Sequence, residues 1–86
     1  MPRISRFLGI VISMYYDDHP PPHFHIQYGD ESATMDIDTM RIIDGYLPPR
    51  VLGLVTEWGV RHRDQLHDNF RRVANHEAPR AIAPLE

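Results

Sequence analysis

The chain has no cysteine and no lysine among its 86 residues. Without thiols there is no disulfide, no thiolate nucleophile and no cysteine-based zinc or iron–sulfur site. That composition suits a reducing cytoplasm, the compartment expected here. Without lysine there is no Schiff-base amine and no phosphate-gripping P-loop lysine. All nine basic residues are arginine, against 12 acids, for a net charge of −3. Residues 1–48 carry −4 and residues 49–86 carry +1. A mildly acidic chain lacks the basic footprint of nonspecific nucleic-acid binding, so nucleic acid is not favoured as a partner. Long apolar runs are missing too. Phe7 to Tyr16 spans only ten residues, whereas a membrane helix needs about 20. Arg3 and Arg6 precede it in the manner of a signal peptide, but no small-residue cleavage site follows. Neither repeats nor low-complexity tracts occur, and the length fits a single domain over 1–86.

What is present predicts an α+β fold: a small antiparallel sheet of three or four strands, then one long helix packed on it. Residues 7–16 are β-branched and aromatic, with apolar positions on both faces, and read as a central strand. Residues 23–28 alternate cleanly, with Phe24, Ile26 and Tyr28 on one face and His23, His25 and Gln27 on the other. Gly29-Asp30-Glu31-Ser32 signals a turn, and strands follow over about 33–38 and 40–43, ended by Asp44-Gly45. Pro48-Pro49 opens a helix over about 49–75, with Leu52, Val55, Trp58, Leu66, Phe70 and Val73 at three- and four-residue spacing. His62 falls in the same stripe, and Gly53 and Gly59 are expected to mark close packing against the sheet. Residues 76–86 read as an irregular tail. One helix leaves part of a doubly apolar sheet uncovered, which suits a homodimer or another small protein.

The chemistry concentrates in Asp17 to Gly29, DDHPPPHFHIQYG. His23 and His25, two apart on a strand, point the same way and can share a divalent transition metal such as zinc. His19, across the prolines, or His62, on the helix, would supply a third ligand. Copper, nickel and iron also accept imidazole. Alternatively, His23 or His25 moves protons in a metal-free hydrolysis, RNA cleavage included, although no arginine lies between Asp17 and Met40 to hold a phosphate. The structural alternative is a proline-stiffened turn whose histidines bond backbone carbonyls. Tyr15, Tyr16, Pro21 and Pro22 would then serve as protein contacts.

The chain resembles the small prokaryotic domain of unknown function family 4160. The resemblance rests on Met1-Pro2, Phe7, Gly9, Met14-Tyr15, Asp18-His19, Pro21-Pro22-His23-Phe24-His25 and Tyr28-Gly29. Gly45, Leu47-Pro48, Trp58 and His62 continue it. Two positions depart from the pattern: Ile26, where Ala or Val is common, and Phe70, where a second Trp often sits. The family resemblance implies a protein-binding module, one component of a two-gene toxin–antitoxin-like unit. It also groups His19, His23, His25 and His62, which implies a shared histidine site, with metal binding the leading form and a histidine- or metal-dependent hydrolase, a nuclease included, the alternative function.

Overall fold

The computed structural model describes residues 2–86; Met1, half of the opening Met-Pro pair, lies outside the described residues. Five strands run in chain order, β1 (Arg3–Phe7), β2 (Ile10–Ser13), β3 (His23–Tyr28), β4 (Glu31–Asp36) and β5 (Ile42–Gly45), followed by helices α1 (Pro49–Arg61) and α2 (Arg63–Ala74). The strands form one antiparallel meander in the order β1-β2-β3-β4-β5. The α+β class with a sheet followed by helical cover therefore holds, but strand number and helix number both differ from expectation.

The first difference lies at Leu8-Gly9. The stretch expected to be one strand over 7–16 is a hairpin, with Phe7 closing β1 opposite Ile10 of β2. Leu8 and Gly9 adopt φ of 51° and 79°, the pair of left-handed conformations that a two-residue type I′ turn demands. Leucine rarely adopts them, so its apolar side chain concealed the turn. This also removes the supposed second apolar face. Phe7 belongs to β1 and the core, Tyr15 lies beyond the end of β2, and only Val11, half-buried, remains opposite Ile10 and Ile12.

The later strands shift by about two residues. Gly29, at φ 58°, turns β3 into β4. The Asp36 carboxylate accepts bonds from the amides of Asp38 (2.7 Å) and Thr39 (3.0 Å). That local capture ends β4 and delays β5 to Ile42. Gly45, at φ 88°, passes so close to β4 that a Cβ there would lie 2.2 Å from the Ser32 carbonyl oxygen.

The expected single helix over 49–75 breaks at His62, whose φ of −119° and ψ of 24° leave the helical region. An unbroken 27-residue helix would extend about 40 Å, beyond the longest dimension of the molecule, 33 Å. The break lets both stripes return to one sheet face. Val51, Val55 and Trp58 from α1 and Leu66, Phe70 and Val73 from α2 join Ile4, Ile10, Ile12, Phe24, Ile26 and Met35 in the core. Trp58 packs on Phe7 and Phe24 with ring centroids 5.5 and 6.0 Å apart. Gly59 packs tightly, as expected, against Met40; Gly53 does not, and a Cβ there meets open space. The tail is irregular but tied down. The Trp58 indole donates to Ala83 O, Asn69 brackets Arg80 with two 2.8 Å bonds, and Ile82 N donates to Ile4 O. Ile82 thereby enters the core at 4% exposure.

Among the described residues no helix covers the other sheet face. Strand register lines up Ser13, His25, Thr34 and Asp44 in one row across β2, β3, β4 and β5. That row is polar, so the uncovered face is not the apolar surface expected; exposed Leu8, Ile43 and Tyr46 sit at turns and at the β5 margin.

Candidate metal centre

The loop between β2 and β3 folds back over the start of β3. Asp17, at φ 68°, reverses the chain, and the Tyr15 amide donates to Asp18 Oδ2 at 3.2 Å. The Pro20–Pro21 peptide is cis. The carbonyl of Pro22 accepts the Ile37 amide at 3.0 Å, which fixes the end of the proline run to the segment after β4. These contacts bring Asp18 over the side chains of His23 and His25.

Ligand atoms of Asp18, His23 and His25 all lie within 4.8 Å of one another. Asp18 Oδ2 is 3.2 Å from His25 Nε2 and 3.4 Å from His23 Nε2. Bonds of about 2.05 Å around a tetrahedral ion give ligand–ligand edges of about 3.3 Å, so both separations already match. The remaining nitrogens are anchored outside the cluster. His23 Nδ1 lies 2.7 Å from the Pro21 carbonyl, and because a carbonyl only accepts, this nitrogen carries the proton. His25 Nδ1 faces the Thr34 hydroxyl at 3.3 Å. Outer partners of this kind orient metal-ligating imidazoles. With Nδ1 holding its proton toward Pro21, Nε2 is left facing the Asp18 carboxylate, placed to share a cation with it.

Side-chain exposures of 12% for His23, 23% for His25 and 15% for Asp18 describe a sheltered site that solvent still reaches. Burial holds His25 below its ordinary pKa, opposed by attraction to Asp18. His25 is thus neutral near pH 7, the state in which imidazole binds metal.

Tyr15 packs edge-on against His25, with ring centroids 4.3 Å apart. Beside them lies a cleft of about 170 Å³ on the open sheet face, lined by Ser13, Tyr15, His25, Gln27, Thr34 and Asp44 among others.

Of the four histidines singled out as ligands, His23 and His25 meet. His19 is exposed and outside the cluster. His62 stands at the helix break, where Nδ1 faces Gln65 Oε1 at 2.7 Å and the ring packs near Trp58. Tyr15 and Tyr16 are each 42% exposed; Pro21 is exposed and Pro22 half-buried. Asp18 is the partner that the histidine spacing did not reveal. Its signal was a carboxylate five residues before His23, readable as a ligand only once the intervening loop is seen to fold back.

A family model described as Domain of unknown function (DUF4160) matches residues 9–71, which include the whole cluster, and the chain belongs to that family. Neither the curated proteins nor the solved structures contain a match to the chain.

Proposed function

We propose that the domain is a metal-dependent hydrolase whose ion, zinc first among the candidates, is held by Asp18 Oδ2, His23 Nε2 and His25 Nε2. The observation that carries this is the doubly anchored pair of imidazoles converging on one carboxylate oxygen, at 3.2 and 3.4 Å. Two histidines, one carboxylate and an open position are the ligand pattern of catalytic rather than structural zinc. Bound there, zinc supplies Lewis acidity and a nucleophile at neutral pH. In such a hydrolysis, water gives hydroxyl to the acyl carbon and a proton to the departing group. The cleft beside His25 gives an acyl substrate somewhere to lie, and its described lining contains no arginine. That weighs against the nuclease form of the same chemistry, since phosphate backbones are held by cations.

The test is elemental mass spectrometry on untagged protein purified without chelator, beside His23→Ala, His25→Ala and Asp18→Asn. Near-stoichiometric zinc, iron, nickel or copper, lost in all three variants, is the expected result. Metal well below one equivalent, or untouched by the substitutions, overturns the proposal.

Protein binding, as part of a two-gene toxin–antitoxin-like unit or as a homodimer, is the second function we put forward. It is supported by exposed Tyr15, Tyr16 and Pro21 on the same loop, because aromatic side chains anchor interfaces. Replacing Tyr16 with Ser then abolishes a complex without changing metal content; an unchanged complex removes this alternative.

A further inference from the structure

The cleft next to the cluster says something about what the site takes. Across the sheet, His25 pairs with Thr34 and Thr34 with Asp44. At about 4.8 Å between strands, the Asp44 backbone stands about 10 Å from that of His25. Asp44 lines the cleft together with Ser13, Tyr15, Gln27 and Thr34. Apart from His25, the ionisable groups in this described lining are the Tyr15 phenol and one carboxylate. Among the described residues Asp44 takes part in no ion pair; the same holds for Asp30, Glu31 and Asp64, but of these only Asp44 lines the cleft. Asp36, Asp38 and Asp68 are each occupied by amides, a histidine or arginines. The volume, about 170 Å³, is below the roughly 300 Å³ at which pockets enclose whole drug-sized ligands. It therefore receives one arm of a substrate.

Resting on the metal site proposed above, we infer that the substrate is an amine-bearing acyl compound. Its reacting carbonyl sits at the Asp18–His23–His25 centre, and its ammonium group reaches along the row to Asp44. Thr34 and Gln27 offer hydrogen bonds to the connecting arm, and the tyrosine ring walls one side. An anionic arm is refused by the same carboxylate, which makes the cleft selective by charge as well as by length.

The experiment uses the full chain loaded with cobalt(II), whose visible spectrum reports ligand exchange at the metal. Three hydroxamate probes share one metal-binding end and differ at the other: ε-aminocaproic, caproic and adipic mono-hydroxamate. The ammonium probe is expected to bind about fivefold tighter than the neutral one, as a partly exposed ion pair provides, and the carboxylate probe weakest. Asp44→Asn abolishes that order while keeping the cobalt spectrum, and Asp44→Lys inverts it. Equal affinity for all three probes, or an order that survives both substitutions, overturns the charge-selective cleft while the metal centre stands. Failure to bind cobalt at all overturns the metal centre and this inference with it.

Discussion

At the level of single residues, two glycines in unlike surroundings make opposite predictions. Gly45 combines φ 88° with a would-be Cβ contact of 2.2 Å to backbone that cannot move aside. Gly45→Ala is expected to destabilise the fold by about 3 kcal/mol. Gly53 is exposed within α1 and faces open space, so Gly53→Ala should stabilise by about 0.8 kcal/mol through helix propensity alone. Urea denaturation of the two variants reads both signs. Asp44-Gly45, read in the sequence as the signal that ends the fourth strand, instead belongs to β5 and pairs with Thr34 and Ala33, and only the positive φ of Gly45 sets it apart. The expectation for Gly53 failed because its position on the helix face depends on how α1 lies on the sheet. His25 adds a pH dependence. Its folded pKa lies below the ordinary 6.5 because burial disfavours the charged ring. The unfolded chain therefore takes up the proton first as pH falls. This contribution to stability is intact above about 6.5 and shrinks as pH drops from there toward the folded value. The slope of stability against pH between about 5 and 7, measured on metal-free protein, should be shallower in His25→Gln. An unchanged slope would show that burial of this ring is not its source.

Among the elements, the β1–β2 turn shows where local chemistry and the final conformation disagree. Leu8 is 67% exposed and held at φ 51°. Asparagine tolerates that region far better and is favoured at the first position of a type I′ turn. Leu8→Asn should therefore raise the denaturation midpoint by an amount equal to about 0.5–1 kcal/mol, with no loss of core contacts; destabilisation would mean Leu8 packs in a way its exposure does not suggest. The helix break has a similar origin. Its residues, Gly59 to Asp64, contain no proline and keep the apolar spacing in phase with both neighbours, so the periodicity ran through it. The limited length of the sheet beneath imposes the bend. By contrast, β3 was legible almost to the residue, because its alternation of Phe24 and Ile26 with His23 and His25 survives intact in the structure.

For the whole molecule, the cluster lies at the margin of the open sheet face, where His23 packs on Phe70 of α2 with ring centroids 5.4 Å apart, and its partly exposed side chains let ions enter without unfolding anything. Zinc at 100 times its dissociation constant should then stabilise the native state by about 2.7 kcal/mol. For a domain of this size that corresponds to a rise in Tm of about 10–20 °C. Differential scanning calorimetry with and without zinc reads the shift. It should vanish with chelator and in Asp18→Asn; a shift of the same size in that variant would show that Asp18 is not among the ligands.

The residues alone determined the class of fold, the strand bearing His23 and His25, the turn at Gly29 and the absence of thiol and lysine chemistry. Each is local: alternation, a backbone conformation or a missing functional group. Which carboxylate joins the histidines, that His19 and His62 stay apart from them, and that the open face is polar were decided only by tertiary structure. Those outcomes depend on how the proline loop folds back and where a long helix must bend to stay on a short sheet. Neither is set by the spacing of residues along the chain, because both are settled by contacts between segments far apart in sequence.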